Sequence, residues 1–415
     1  MNAAVIVGWA AKGLVIVLSL LNTRLLVELV GAEGLAAYAI IASLAVWLTL
    51  LNLGMPTAVQ NLISESRAKG LDVAKVKKTA FAALSILLLI FLPIVMAGGA
   101  AVKFFFLASY DFVTVSAVIQ ACILMFISAL GLLFSQMLYA EHRAVWANLY
   151  PAFNAIGISI CLLILNALEA KDYNLILVSY FLPMLLVFIL GAVQTRAFST
   201  WEFDLEIARR IWAESRGLLL FATLSACTLA VDYLVMSNLL QAQDIAQYNL
   251  SSRLFLTILT IHSVLLATAW PQISELMHGR RMRDARKKLF QVLHIGLLLG
   301  VVSGGILLAA MDWIIPLLAG DKVESVPAPL IISWCIYILI RIWSDTFSVG
   351  LLCVGQTKPI NQYIPFQALF SVLGQYTLTS LLGVTGVTLG LIASFLMTAA
   401  WILPKKFLEL TRDAQ

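Results

Sequence analysis

Long apolar runs alternate with short polar interruptions along almost the whole chain, the pattern of helices whose solvent is a bilayer. A crossing takes about 20 apolar residues. Runs of that length fall at about 4–28, 34–62, 79–101, 112–140, 145–168 and 173–196, and again at about 215–239, 244–272, 289–311, 327–354, 360–382 and 385–404. Twelve crossings in two groups of six predict an all-α polytopic membrane protein with two six-helix lobes, over 1–197 and 217–404, and a tail over 405–415. Between the lobes, residues 198–216 mix Trp201, Phe203, Ile211 and Trp212 with Glu202, Asp204, Arg209 and Arg210. Set on a helix, Ala208, Ile211 and Trp212 share one face, which predicts an amphipathic connector along the inner leaflet.

Composition narrows the reading. Of 415 residues, 61% are hydrophobic and 12% charged, against about 25% charged in a soluble domain. Twelve crossings use up the length, which excludes an enzyme hung from a membrane anchor. Of the 27 Lys and Arg, twenty fall on one set of alternating connections and on the tail, and only Lys103, Lys171 and Lys322 on the other set. Cytoplasmic connections are the basic ones, so both termini are expected in the cytoplasm. The net charge of +5 is thereby mostly a topology signal and not a nucleic-acid footprint. Cys122, Cys161, Cys227, Cys335 and Cys353 sit in apolar stretches without paired spacing and read as small core hydrophobes rather than disulfides or metal ligands. The chain runs from its start into an apolar stretch containing Lys12, without a basic leader, and is read as keeping its first helix. No glycine-rich Lys-Ser/Thr loop marks an ATP site, and no cofactor is implied.

The two halves carry a faint repeat. At an offset of 210, Tyr38 falls on Tyr248, and Ile63-Ser64-Glu65 on Ile273-Ser274-Glu275; at 213, Asn148, Tyr150 and Phe153 fall on Asn361, Tyr363 and Phe366. Repeats of this kind commonly place a transport site between the lobes.

Four basic residues lie within predicted crossings: Lys12, Arg24, Arg253 and Arg341. A cation at mid-bilayer costs at least about 2.5–3.5 kcal/mol and faces a wet cavity or a partner. Arg253 is about ten residues into span eight. Arg341 is deep in span ten, with Asp345 one turn on, a spacing that equally allows a structural ion pair. Lys12 and Arg24 are nearer the ends of their helix and within reach of the interface, and Arg24 has Glu28 four residues on. Asp232 in span seven is a candidate partner for Arg253 or a protonatable coupling group. His262 and His294 stay unassigned, because a lone helical His is more often a hydrogen-bonded core residue. Up to four cations against Asp232 and Asp345 favour an anion, and Arg forks suit a diphosphate. Asn52, Gln60, Asn61, Gln120, Gln136, Tyr139 and Asn148 offer groups for sugar hydroxyls or bridges between helices, and the pattern alone does not choose.

The opening hairpin adds a family likeness. Asn22-Thr23-Arg24-Leu25-Leu26, Val30-Gly31-Ala32-Glu33-Gly34 before Tyr38, and Asn52-Leu53-Gly54-Met55 leading to Leu62-Ile63-Ser64-Glu65 resemble the Wzx-type O-antigen flippases of the multidrug/oligosaccharidyl-lipid/polysaccharide exporter superfamily. Val30 stands where that family usually has Leu, and Asn52 where an acid is common. The resemblance implies a two-lobed bundle of the multidrug-exporter type that alternates between inward and outward openings. It implies transport of undecaprenyl-diphosphate-linked oligosaccharide across the bacterial inner membrane, with other polysaccharide assembly proteins as partners. A multidrug exporter of the same superfamily is the nearest alternative, but its cationic cargo asks for an unpaired acid in the core of the first helix, where this chain has Lys12 and Arg24. A membrane glycosyltransferase or O-antigen polymerase would need a large outer loop, and the longest outer connections, about 103–111 and 312–327, are short.

Overall fold

The computed structural model describes residues 3–68, 72–141, 143–196, 202–278, 280–352 and 358–412. Lys69, Trp201 and Cys353 lie outside the described residues. The chain divides into two compact units, Met1–Thr223 and Leu224–Gln415. The fold is all-α, and among the described residues nine stretches are long and apolar enough to cross a membrane.

The first unit runs through α1 (Ala3–Thr49), α2 (Met55–Ala68), α3 (Val73–Phe106), α4 (Val115–Ala140), α5 (Ala144–Ala167), α6 (Tyr173–Phe181) and α7 (Pro183–Gln194), and includes most of α8 (Leu205–Leu229). The second holds α9 (Asp232–Leu239), α10 (Ala242–His278), α11 (Met282–Ala319), α12 (Ala328–Leu352), α13 (Lys358–Leu382), α14 (Val384–Met397) and α15 (Ala399–Arg412). The first predicted crossing and the start of the second are carried by α1, which is kinked at Gly31 (φ 68°, ψ −170°), a conformation that only glycine adopts without strain.

Several predicted crossings are interrupted rather than continuous, each for a local reason. Span two breaks after a short 3₁₀ turn, Leu50–Asn52, where Leu53 takes φ 55° and Asn52 Oδ1 accepts from the Gly54 amide at 2.9 Å. Asn52 thus supplies an acceptor that the broken ladder no longer offers. Span six breaks at Pro183, which lacks an amide donor and opens α7. Span twelve breaks at Thr398, whose hydroxyl donates to Ser394 O at 2.6 Å.

The connector has no end of its own. From Leu205, α8 runs unbroken to Leu229, so the connector and the first part of span seven are one helix. Asp204 caps it, accepting from the amides of Glu206 and Ile207 at 2.8 and 3.0 Å. The Lys75 ammonium lies 2.6 Å from the same carboxylate, and together with the Ile207 amide it holds that carboxyl below the usual range. Ala208, Ile211 and Trp212 line an apolar recess together with Leu53, Ile86 and Leu87 of the same unit.

Within each unit, polar side chains bridge helices. Asn22 on α1 donates to Ala155 O of α5 at 3.1 Å and accepts from Ser159 at 2.6 Å, with both side chains buried. In the second unit, a Cβ on Gly390 would come within 2.4 Å of the Gln375 amide nitrogen, and one on Gly386 within 2.0 Å of Leu378 O. Backbones of α13 and α14 approach this closely only because both positions lack a side chain.

Candidate functional site

The charges predicted inside the membrane divide between the units: Asp232, Arg253, Arg341 and Asp345 in the second, Lys12 and Arg24 in the first. The second unit's site starts at an interruption of span seven. Helix α8 ends at Leu229, Ala230 and Val231 lie between the two helices, and α9 begins at Asp232; the Ala230 amide still donates to Ala226 O at 2.9 Å, and Val231 O accepts from the Val235 amide at 3.0 Å. Asp232 Oδ1 accepts from the Tyr233 amide and Oδ2 from the Tyr248 hydroxyl, both at 2.9 Å. A carboxylate at this end of a helix meets the partial positive charge of unpaired amides. On the other side of the break, Thr228 O accepts from the Ser371 hydroxyl at 2.6 Å, and Ser371 accepts from Gln375 at 2.8 Å.

From Asp232 a series of rings leads to Arg341. Tyr248 packs against Tyr233 and Trp334 with centroids 5.6 and 5.3 Å apart, and Trp334 meets Tyr337 at 5.5 Å. Trp334, Tyr337, Arg341 and Asp345 fall three and four residues apart on α12, so they form one stripe of that helix. The Arg341 guanidinium donates to the Tyr337 hydroxyl at 3.0 Å and to Asp345 at 3.1 Å. Its carbon lies 5.3 Å from the centre of the Phe395 ring. The side chain is 17% exposed, and its Nε is buried without a hydrogen-bond partner. Guanidinium has five donors, so the ion pair does not exhaust it.

Arg253 is half-buried on α10, one turn beyond Asn249, whose amide donates to the Tyr233 hydroxyl at 2.8 Å. Asp232, the expected candidate partner for Arg253, takes hydrogen bonds from Tyr248 and the Tyr233 amide. In the first unit, Arg24 and Glu28 are exposed on α1 along the stripe that also exposes Leu14, Val17 and Leu21, and Lys12 is exposed nearer its start. His262 is core: its Nε2 sits 3.1 Å from the Thr346 hydroxyl, and its ring occupies the space left by Gly296. His294 pairs with Phe290 O of its own helix at 2.6 Å.

Sequence reasoning overlooked the aromatic frame. Trp334 and Tyr337 were findable, because they share the helical stripe of Arg341. Tyr233, Tyr248 and Phe395 come from other helices, and their part depends on packing that one helical period does not reveal.

Crossings interrupted inside the bilayer, with a charged or polar group at the break, are a construction of membrane transporters, and the fold belongs to that class. The chain superposes on a multidrug resistance MATE family transporter of the MOP superfamily in its inward-facing conformation with a TM-score of 0.79, covering 100% of both chains at 12% identity. With lipid II flippase MurJ, inward closed, the TM-score is 0.73 over 99% of this chain and 90% of the other, at 16% identity.

In sequence the chain is 28% identical over 414 residues to a Yersinia pseudotuberculosis protein provisionally named an O-antigen export protein, covering 96% of this chain and 94% of that one. It is also 28% identical, with the same coverage, to a provisionally named O-antigen transporter of Salmonella typhimurium. No family model matches. The chain is therefore a multi-pass membrane protein with the fold of MOP-superfamily transporters, and it resembles proteins named as O-antigen exporters along nearly its whole length.

Proposed function

We propose that this chain is a flippase that carries oligosaccharide linked to undecaprenyl diphosphate from the cytoplasmic to the periplasmic leaflet of a bacterial inner membrane by alternating access. The observation that carries the reading is Arg341, a guanidinium held in place by Tyr337, Asp345 and Phe395 with its Nε buried and unpaired. A diphosphate oxygen is the acceptor such a donor lacks. Arg253, Arg24 and Lys12 supply the further positive charge, while the polyprenyl tail stays in lipid. Asp232 and Asp345 are the candidate coupling or ion-pair acids. Asp232 already accepts two hydrogen bonds and Asp345 is paired with Arg341, which favours anionic cargo over a cationic drug. The basic bias of the inner connections supports cytoplasmic termini.

The test is reconstitution in liposomes with labelled undecaprenyl-diphosphate oligosaccharide, scoring its appearance in the opposite leaflet. Arg341→Ala and Arg253→Ala are each expected to reduce transport while membrane abundance stays near that of the unaltered chain. Unaltered transport by both variants overturns the assignment.

A further inference from the structure

A glycan needs different chemistry from a diphosphate, and the first unit holds a recess with that chemistry. Along one stripe of α4, Ser128, Gln136 and Tyr139 face Asn154 of α5 and Phe188 of α7 around a cavity of about 300 Å³. Its lining residues carry no formal charge. Asn154 Oδ1 is buried there without a hydrogen-bond partner. The Tyr139 hydroxyl donates to Asn148 Oδ1 at 2.7 Å, which aims its oxygen and leaves lone pairs to accept.

Three kinds of occupant can be compared. An acyl chain would leave the buried Asn154 carbonyl unsatisfied, at a cost of about 1–3 kcal/mol. A phosphate would find no cation. A sugar ring fits both halves of the lining: its hydroxyls exchange hydrogen bonds with amides and hydroxyls, and its C–H face packs on an aromatic ring. The volume is at the lower end of the range for small-ligand sites, suited to one ring rather than a whole repeat unit.

We propose that the recess between α4, α5 and α7 is a sugar subsite that holds one pyranose ring of the cargo, with Asn154 and Gln136 as its hydrogen-bonding amides and Tyr139 at its rim. This rests on the flippase reading above and adds to it a second binding element of different chemistry.

The experiment measures binding by the full-length chain in nanodiscs of two probes: undecaprenyl diphosphate without sugar, and the lipid-linked oligosaccharides extracted from the cells that produce this chain. The unaltered chain is expected to bind the glycosylated probe more tightly. Asn154→Ala and Gln136→Ala should each lower that preference roughly five- to tenfold, the worth of one hydrogen bond, and leave the bare lipid's affinity unchanged. Tyr139→Phe, at a position 36% exposed, removes a hydroxyl without disturbing packing and should lower the preference in the same direction, which guards against misfolding of the other two. Variants that keep the unaltered preference, or that weaken both probes equally, overturn the proposal. If the unaltered chain binds neither lipid probe, the flippase reading fails, and oligosaccharide released from the same extract then tests the recess alone. Binding lost in Asn154→Ala supports the subsite, and no binding to the unaltered chain overturns it.

Discussion

Arg341 and Asp345 can be removed singly and together, and the pattern distinguishes a structural ion pair from an anion site. Arg341→Ala removes two charge-assisted hydrogen bonds, at 3.0 and 3.1 Å, and the contact with Phe395. Losing one member of a fully buried pair costs about 3–5 kcal/mol. Asp345, however, is 35% exposed and keeps part of its hydration after Arg341 is gone, which discounts that figure to about 1–3 kcal/mol. The lost cation–π contact adds about 0.5–1 kcal/mol. Asp345→Ala strands the less exposed guanidinium and is expected to cost a similar amount. In Arg341→Ala/Asp345→Ala neither charge is stranded, so the double variant should be more stable than the sum of the two losses by about 1–2 kcal/mol. Thermal unfolding in detergent reads stability, and the liposome assay reads transport. If Arg341 serves the cargo, the double variant regains stability but not transport. A double variant that transports at the unaltered rate refutes the reasoning, because Arg341 would then exist only to neutralise Asp345.

Other consequences are equally direct. Gly390→Leu is expected to force α13 and α14 apart and cost at least about 1–3 kcal/mol, read as loss of folded protein in the membrane fraction; normal abundance and melting would show that the close approach is not required. Asn22→Leu deletes two buried bonds between α1 and α5, each worth about 0.6–2 kcal/mol, and should lower the melting temperature without changing which probe lipid is preferred. Asp204, whose carboxyl titrates below its usual range because of Lys75 and the Ile207 amide, favours the docked connector when ionised. That contribution is complete above the ordinary carboxylate pKa and is lost as pH falls through the depressed value. Protease cutting near residue 204 should therefore rise only at the acid end, and Asp204→Asn should remove this step.

Much of the fold was readable because bilayer thickness imposes a length on every crossing, and the positions of α3, α4, α11 and α12 follow from apolar runs alone. What hydropathy does not register is a break within a run. Asn52 and Pro183 interrupt crossings whose average apolarity is undiminished, and the cause is a local hydrogen bond or a missing amide. The Arg341–Asp345 pair was legible because both residues occupy one helix, and the possibility of a structural pair was part of that reading. The partners of Asp232 were not legible, since Tyr248 lies sixteen residues away on another helix and the contact depends on the turn at residues 240–241. The connector's apolar face was legible as Ala208, Ile211 and Trp212, whereas the recess it shares with Ile86 and Leu87 of α3 was not.

The break between α8 and α9 also affects how backbone protons are protected. A continuous crossing gives up its amide protons to deuterium from the ends inward, because the middle turns are held by ladder bonds in hydrocarbon. The Ala230 amide still donates to Ala226 O, but past it the ladder is interrupted until α9 begins at Asp232, and local unfolding is cheapest where such bonds are missing. Deuterium uptake along this crossing should thus start at two fronts, the aqueous end and a point in its interior beside Asp232. A peptide spanning Val231 and Asp232 would then label ahead of the turns that flank it.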